Sequence, residues 1–394
     1  MKIALSVADM SVGGIANFVL NLSQSLTEAG HEVIVIAQRP GVWWSRLAES
    51  GIHGYCLPRR RWDSVQQTAR RFAAYLTVQQ VDLLLVNIGI DNRIPMLALH
   101  RLPDRLPVAL VLHNDRPEVY ALAAVNAAAW HCAVAVSPKV QQVAQTHFPQ
   151  KAIYWILHGI ALPTPEQLRA RVGWRVPLQL LFVGRLDDAQ KGIFRLPRLL
   201  QHCREQGLPV HLTVIGDGPD RAAVATLCQT VGVTDLVDWV GFQAQEIVLA
   251  QMRAHHLLLL PSNFEGLGLV IQEAQANGCV PVASRLPGVT DTIIADGING
   301  KLIEPTEIVN FVATIRNFLN AAEWQQCSQA GIAQARQHYG IGRMMEQYVA
   351  LFDALGQGAH PLLVTRSSLR KQRVTPFTWR DYLVQPLRRR LGSA

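Results

Sequence analysis

The chain has 394 residues, a net charge of +8, 49% hydrophobic residues and a mean hydropathy of +0.13. Its length favours two domains, because single hydrophobic cores stop growing at roughly 250–300 residues. The hydropathy excludes a disordered chain, and no apolar run approaches the roughly 20 residues of a membrane-spanning helix. Residues 1–10 enter a strand pattern instead of a signal peptide. We therefore expect a globular cytoplasmic protein.

The positive charge is concentrated at the end of the chain. Residues 356–394 carry eight basic side chains and one acidic side chain, whereas residues 171–355 carry 14 basic and 17 acidic ones. The six cysteines are scattered, without the C-x-x-C spacing of a zinc site. Small buried residues in a reducing compartment are therefore favoured over disulfides or metal ligands.

The first half of the chain alternates apolar runs with helical patterns. A strand over residues 1–7 leads through a turn at Gly13 and Gly14 into a helix over residues 15–29. Further strands are predicted at residues 33–36, 83–86, 108–112, 133–136 and 153–156. Strands that alternate with helices form a parallel sheet covered on both faces.

The second half repeats this plan. Its strands are predicted at residues 180–183, 212–215, 237–240, 257–260, 280–283 and 301–303. We predict an α/β protein of two doubly wound, Rossmann-like domains that face a central cleft, where the carboxyl ends of the strands bind ligands. The predicted divisions are an N-terminal Rossmann-like domain (1–165), a C-terminal Rossmann-like domain (166–342), a helix (343–355) and a basic tail (356–394).

One stretch of the second half carries two acids around a glycine turn. Glu265 precedes the turn, and Glu273 follows eight residues later, about two helical turns inside the next predicted helix. A carboxylate has two oxygens that can accept from the adjacent hydroxyls of a ribose, which makes Glu273 a candidate nucleotide-binding residue. The alternatives are a surface acid at Glu273 and a helix N-terminal acid at Glu265.

Two other loops are candidates for phosphate binding. Arg185 and Lys191 flank a loop at the carboxyl end of a strand, and two converging cations suit a diphosphate, although solvated loop charges are the alternative. Gly13 and Gly14 begin a helix whose amides and dipole favour a phosphate. The G-x-G-x-x-G fingerprint is absent there, so a tight turn explains these glycines equally well.

Two polar residues follow strands at the predicted cleft. Asp217 is expected to cap the following helix, while its loop also offers backbone groups to a planar base. His113 ends the apolar run of residues 108–112, and a lone histidine there is more often structural than catalytic. Its cleft-side position would let it donate a hydrogen bond to a substrate hydroxyl.

Taken together, these motifs resemble the retaining GT-B glycosyltransferases of the E-x7-E family, a family 4-like group that includes bacterial envelope polysaccharide and lipopolysaccharide enzymes. The resemblance covers roughly residues 1–355. The matching motifs are the Gly13-Gly14 turn, Gly184-Arg-Leu with Lys191-Gly, Gly216-Asp-Gly-Pro, and Glu265 to Glu273 with Gly278.

The resemblance implies a nucleotide-sugar donor, with a UDP-sugar ahead of a GDP-sugar, and no cofactor or metal. It implies transfer with retention to a glycan or glycolipid, in lipopolysaccharide or other cell-envelope polysaccharide assembly. By this resemblance, Arg185 and Lys191 bind the diphosphate, and Glu273 binds the ribose. Glu265 and the amides of Gly266, Leu267, Gly268 and Leu269 bind the donor sugar, which His113 also contacts. Gly13 and Gly14 bind the distal phosphate.

The basic residues suggest where in the cell the protein meets its acceptor. A patch at residues 59–62, the pair Arg70 and Arg71, and the tail from Arg366 onward predict peripheral attachment to the anionic inner face of a bacterial cytoplasmic membrane. Nucleic-acid binding is not expected, because no recognised module is present. A sugar-nucleotide epimerase and a catalytically silent nucleotide-sugar binding protein remain alternatives.

Overall fold

The computed structural model describes residues 1–11, 13–57, 63–89, 91–305, 307–362 and 364–371. The chain divides into two compact units. Unit 1 holds Met1–Val136, Val140–Ile156 and the described residues from Met345 onward; unit 2 holds Ser137–Lys139 and Leu157–Met344. The predicted basic patch at residues 59–62 and the tail beyond residue 371 lie outside the described residues.

The described part of unit 1 contains one parallel sheet of seven strands. The strands are β1 (Lys2–Asp9), β2 (Glu32–Arg39), β3 (His53–Cys56), β4 (Leu83–Ile88), β5 (Val108–Leu112), β6 (Cys132–Ala135) and β7 (Ala152–Trp155). Their order across the sheet is β3-β2-β1-β4-β5-β6-β7. The helices of this half are α1 (Gly14–Glu28), α2 (Trp44–Glu49), α3 (Val65–Val78), α4 (Arg93–Ala98), α5 (Pro117–Ala124) and α6 (Pro138–His147).

The described part of unit 2 contains a parallel sheet of six strands. The strands are β8 (Leu178–Val183), β9 (Val210–Ile215), β10 (Val237–Gly241), β11 (Leu257–Leu260), β12 (Val280–Ser284) and β13 (Lys301–Ile303), in the order β10-β9-β8-β11-β12-β13. The helices are α7 (Pro165–Arg169), α8 (Asp188–Lys191), α9 (Arg195–Glu205), α10 (Arg221–Thr230), α11 (Gln245–Ala254), α12 (Leu269–Ala276), α13 (Ile308–Asn317) and α14 (Ala321–His338).

Strand β11 shows why these apolar runs form central parallel strands. All four leucines are fully buried, and β11 pairs with β8 on one side and β12 on the other. Leu257 and Leu259 pack into one core cluster, while Leu258 packs into a second. Alternate side chains therefore enter hydrophobic layers on opposite faces of the sheet. Burial of each leucine contributes roughly 1.5–3 kcal/mol of stability.

The sequence prediction of two doubly wound parallel sheets is confirmed, with strand ends that differ from the predicted ones by at most three residues. The edge strand β3 was not predicted, because HGYC lacks both an apolar run and an alternating pattern. The predicted depth of Glu273 in its helix is wrong. Residues 265–268 remain a loop and Gly268 is left-handed (φ +81°), so Glu273 is the fifth residue of α12.

Two loops at the carboxyl edge of the unit 2 sheet interlock. The amide of Leu186 donates to the carbonyl oxygen of Asp217 at 3.0 Å, and the amide of Asp220 donates back to Leu186 at 3.0 Å. A Cβ at Gly216 would lie 1.9 Å from the Gly184 oxygen, and one at Gly218 would lie 2.3 Å from the Leu186 oxygen. Both glycines are therefore required by backbone packing between the loops.

Gly218→Ala is expected to destabilise unit 2 by about 1–3 kcal/mol, because its methyl group overlaps backbone atoms that cannot rotate away. The matched control is Gly173→Ala in the same unit, where an added Cβ meets no atom within 4 Å. Urea unfolding should give a lower midpoint for Gly218→Ala than for Gly173→Ala. Equal midpoints would show that the loops separate at little cost.

The chain beyond unit 2 returns to unit 1 through α15 (Ile341–Gly356) and ends its described part in α16 (Arg366–Lys371). Arg366 is fully buried, and its guanidinium donates to the carbonyl oxygens of Ala129 and Leu106, each at 3.0 Å. The inclusion of Arg366 in a lipid-facing basic tail is therefore wrong. This arginine fastens the C-terminal segment to unit 1.

The predicted basic pair on α3 is only partly available to a ligand. Arg71 forms a salt bridge with Asp63, whereas Arg70 is exposed. Among the helices of the described residues, none combines the length and the apolar character needed to cross a bilayer.

Candidate active site

The loops of unit 2 bring together a lysine and a glutamate that are 74 residues apart in the sequence. Lys191 is the last residue of α8, and its Nζ lies 2.6 Å from Oε1 of Glu265. Ser262 donates its hydroxyl to the same oxygen at 2.6 Å. The side chains of Lys191 and Glu265 are only 12% and 6% exposed, so this is a buried ion pair.

A latch between two loops holds this ion pair in place. The backbone amide of Asn263 donates to the carbonyl oxygen of Gln190 at 2.8 Å. Arg195 donates to the carbonyl oxygen of Pro261 and to Oδ1 of Asn263, each at 2.7 Å. A Cβ at Gly192 would lie 2.2 Å from the Pro261 oxygen, so glycine allows the close approach. The latch fixes the distance between α8 and the loop that carries Glu265.

Arg185, the second predicted cation, does not join Lys191 in the ion pair. Its side chain is 68% exposed, and its Nε lies 3.8 Å from the carboxylate of Asp187. A pair at this distance and exposure contributes little, because solvent competes for both charges. Arg185 is therefore free to reorient toward an anion at low cost, whereas Lys191 is already positioned.

The glycine turn before α12 presents unused hydrogen-bond donors. Within the described residues, no hydrogen bond uses the backbone amides of Gly266, Leu267, Gly268 or Leu269. The first amides of a helix have no partner inside the helix and carry the positive end of its dipole. These amides follow Glu265 directly, so hydrogen-bond donors, an acidic side chain and Lys191 meet at one turn.

Glu273 is a buried acid on the same helix. It is 8% exposed, and Nε2 of Gln245 donates to its Oε1 at 2.6 Å. Burial raises the pKa of Glu273 to about 7, and the hydrogen bond from Gln245 opposes this rise. The predicted alternative of a solvated surface acid is therefore wrong. Near neutral pH this carboxyl group is divided between its acid and carboxylate forms.

Asp217 does not have the capping role that the sequence favoured. The N-cap of α10 is Asp220, whereas Asp217 accepts from the amide of Gly218 at 2.8 Å and lies 3.7 Å from Arg221. Asp220 instead accepts from the amide of Asp188 at 2.8 Å. These bonds restrain the loop before α10 and tie it to the first residue of α8, the helix that ends at Lys191.

Unit 1 carries three of the predicted residues, two of which are the glycines at the start of α1. Gly13 is the N-cap of α1 with φ +154°, and Gly14 begins the helix. A Cβ at either glycine meets no atom within 4 Å. Packing against the described residues therefore does not require glycine at Gly14.

His113 is the third predicted feature of unit 1. It follows β5, is 8% exposed, and its Nε2 lies 2.9 Å from Oδ1 of Asn87. Phe18 packs against the imidazole edge-to-face with ring centroids 5.3 Å apart. The ring is therefore held both by a hydrogen bond and by an aromatic contact.

Sequence reasoning missed three polar partners: Ser262, Gln245 and Asn87. Asn87 left a signal, because it is a polar residue within the otherwise apolar strand LLLVNI. Ser262 follows Pro261 at a strand end, and Gln245 opens α11, both ordinary positions for polar residues. Among the described residues, no group of three or more His, Cys, Asp or Glu side chains is placed to hold a metal ion.

Comparison with known proteins gives matches over both halves of the chain. Residues 12–162 match the family model "Glycosyltransferase Family 4", and residues 166–334 match "Glycosyl transferases group 1". The phosphatidyl-myo-inositol mannosyltransferase of Propionibacterium freudenreichii subsp. shermanii is 29% identical over 308 residues, which cover 72% of this chain and 76% of that enzyme.

Other matches are shorter or more distant. An alpha-D-kanosaminyltransferase from Streptomyces kanamyceticus is 28% identical over 160 residues, and the chain spans only 41% of its length. A crystal structure of Anabaena Alr3699/HepE in complex with UDP and glucose superposes with a TM-score of 0.76 at 19% identity. This superposition covers 90% of this chain and 100% of that one.

Both halves of the chain are therefore similar to glycosyltransferases. More particularly, the first half matches the family 4 model and the second half matches the group 1 model. The two doubly wound sheets and the superposition identify the fold as GT-B.

Proposed function

We propose that the chain transfers a sugar from a nucleotide-sugar donor to a glycan or glycolipid acceptor. The observation that carries this proposal is the buried Lys191–Glu265 pair beside the unused amides that lead into α12. A UDP-sugar is favoured over a GDP-sugar, because the superposed Anabaena structure contains UDP and glucose. No cofactor is required by this proposal.

The reaction breaks the bond between sugar carbon 1 and the diphosphate oxygen and forms a bond from carbon 1 to an acceptor hydroxyl. Negative charge therefore grows on the leaving diphosphate. Lys191 and the amides of residues 266–269 stabilise that charge, with Arg185 turning in from solvent. Preorganised donors of this kind supply the stabilisation without a metal ion.

Stereochemical retention is part of the same proposal. In a front-face route, the acceptor hydroxyl attacks the face of the sugar from which the leaving group departs. The proton of that hydroxyl passes to an oxygen of the leaving phosphate. No side-chain general base is then needed. Glu265, whose Oε1 already accepts from Lys191 and Ser262, orients the donor sugar and does not act as a nucleophile.

Glu273 is proposed to anchor the nucleotide ribose. Its carboxylate accepts from adjacent hydroxyls while Gln245 holds one of its oxygens. Gly13 and Gly14 are proposed to receive the distal phosphate at the open N-terminus of α1.

The class of acceptor is proposed from the name of a relative. The mannosyltransferase relative is named for a phospholipid, phosphatidyl-myo-inositol. We infer a lipid-linked acceptor for this chain, within lipopolysaccharide or another envelope polysaccharide, and peripheral attachment to an anionic cytoplasmic membrane face. Arg366 takes no part in such attachment because it is buried.

The proposal is tested by incubating the purified chain with UDP-sugars and GDP-sugars, with and without bacterial envelope glycolipids, in the presence of EDTA. We expect nucleotide release that depends on a UDP-sugar and a glycolipid, continues in EDTA, and leaves a sugar on the lipid. Conversion of one nucleotide-sugar into another would support an epimerase. Binding without turnover would support the silent binding protein.

A further inference from the structure

A buried chain of hydrogen bonds crosses the sheet of unit 1 and ends at His113. We call its five members, Gln38, Ser6, Asn87, Asn92 and His113, the Asn87 network. Asn92, Asn87 and Ser6 are no more than 1% exposed, and His113 is 8% exposed. Its members sit on or next to the neighbouring strands β2, β1, β4 and β5.

Each amide in the network has one orientation that satisfies its partners. Nε2 of Gln38 donates to Oδ1 of Asn92 at 3.1 Å, and Nδ2 of Asn92 donates to the Asn87 carbonyl oxygen at 2.8 Å. Nδ2 of Asn87 donates to the carbonyl oxygen of Ser6 at 3.2 Å. A backbone carbonyl only accepts, so the nitrogen of Asn87 must face Ser6 and its oxygen must face His113.

The orientation of Asn87 determines where His113 carries its proton. An amide oxygen cannot donate, so Nε2 of His113 must be the donor of the 2.9 Å bond to Asn87. In the neutral ring, Nδ1 is then without hydrogen and acts as an acceptor. The sequence-based expectation that His113 donates to a substrate hydroxyl therefore reverses for the neutral ring.

We propose that Asn87 is a positioning residue that holds the His113 proton on Nε2, so that the ring meets a sugar hydroxyl as a hydrogen-bond acceptor at Nδ1. This inference rests on the proposed function of His113 as a sugar-contacting residue. The edge-to-face contact with Phe18 fixes the ring plane, and Asn87 fixes the proton. Partners of this type set both the tautomer and the orientation of a histidine.

Asp115, the acid nearest to His113 in the sequence, has a bonding partner of its own. Asp115 lies two residues beyond His113, and its Oδ1 accepts from the Tyr120 hydroxyl at 2.7 Å. Asp115 is therefore bonded to a residue of α5. Asn87 meets Nε2 with the oxygen of a neutral amide.

The tautomer is tested by histidine nitrogen NMR of the full chain, with His113→Gln assigning the signal. We expect an unprotonated Nδ1 and an Nε2 proton that exchanges slowly with solvent. Asn87→Leu should remove that protection, whereas Asn87→Asp, which keeps an acceptor oxygen toward Nε2, should retain it. A proton on Nδ1 in the wild type, or unchanged protection in Asn87→Leu, would overturn the proposal.

The direction of the sugar contact is tested with paired deoxy and fluoro donor analogues, one pair for each sugar hydroxyl. Fluorine accepts but cannot donate. If His113 accepts, both analogues of one pair should lower kcat/KM about 10- to 100-fold, and His113→Ala should remove that loss. Rescue of that loss by fluorine would show that His113 donates and would overturn the proposal.

Failure of the inference can be separated from failure of the proposed function. If the wild-type chain transfers no sugar to any acceptor, the proposed function fails while the NMR measurement still decides the tautomer. If transfer occurs, Asn87→Leu should lower kcat about 10- to 100-fold at unchanged circular dichroism, with partial rescue in Asn87→Asp. Wild-type kcat in Asn87→Leu would contradict a positioning role.

Discussion

Glu273→Gln is expected to make unit 2 more stable while it weakens donor binding. Burial raises the pKa of Glu273 from 4.5 to about 7 in the folded chain. Between these two values the folded state binds more protons than the unfolded state, so the stability contribution falls as pH rises through this window. This pKa shift corresponds to a loss of about 3 kcal/mol in the free energy of unfolding of the wild type above pH 7. The variant does not have this loss, because its glutamine stays neutral.

Urea unfolding of both proteins across the pH range measures this difference. Above pH 7, Glu273→Gln should exceed the wild type by about 3 kcal/mol, and near pH 4 the two should agree. Glu307→Gln, at an exposed acid just before α13 of the same unit, serves as the control and should differ from the wild type far less than Glu273→Gln does. Parallel curves for Glu273→Gln and wild type would contradict a buried acid with a raised pKa.

The same variant should bind the donor less well. A glutamine keeps one acceptor oxygen for Gln245 but loses the charge that strengthens bonds from ribose hydroxyls, so the donor Kd should rise about 10- to 100-fold. The wild-type affinity should also fall as pH drops below 7, whereas that of the variant should stay flat. Calorimetry with a UDP-sugar measures both. An unchanged Kd would remove Glu273 from the nucleotide site.

Lys191→Ala is expected to give the largest loss of activity. Removal of a preorganised donor to the leaving group lowers kcat about 10²- to 10³-fold. Stability should also fall, by about 3–5 kcal/mol, because Glu265 is left buried without its cation, while the Ser262 hydroxyl still donates to it. The sequence alone predicts a loss of donor use with an intact fold; the burial of this pair adds the loss of stability.

A second variant separates the two effects. Lys191→Met combined with Glu265→Gln removes both buried charges, so it should recover most of the lost stability but none of the lost activity. Lys301→Ala is the matched control, since Lys301 pairs with Glu323 at 3.9 Å near the surface of the same unit. It should cost less than about 1 kcal/mol and leave turnover unchanged. Recovery of activity in the double variant would contradict the proposed role of Lys191.

The sequence predicts the fold well where a buried element has a clear run of apolar residues. The four leucines of β11 form a run that only a central strand or a buried helix accommodates, and the flanking Pro261 decides for a strand. Strand β3 escapes prediction because an edge strand with partly exposed residues needs no such run. Burial patterns therefore identify central elements more reliably than edges.

The site is predictable as a set of residues but not as an arrangement. Glu265, Glu273 and Lys191 are each visible in motifs, yet the ion pair between Lys191 and Glu265 depends on the latch through Arg195 and Asn263. Periodicity describes contacts within an element and carries no information on which loops meet. The burial of Glu273 likewise depends on its packing against other helices.

The partners Asn87 and Gln245 show the same limit. Each forms one hydrogen bond to a neighbouring titratable group, across the sheet or between helices. Such bonds follow from three-dimensional packing, so sequence reasoning found the histidine and the acid but not the residues that bond to them.

Transfer from a donor that carries a ¹³C-labelled sugar tests the central claim most directly. The chain is incubated with this UDP-sugar and a glycolipid acceptor, and mass spectrometry follows both the lipid and the nucleotide. We predict one labelled sugar on the acceptor for each UDP released, with almost none in Lys191→Ala. Recovery of the label only as free sugar or as another nucleotide-sugar would contradict a glycosyl transfer.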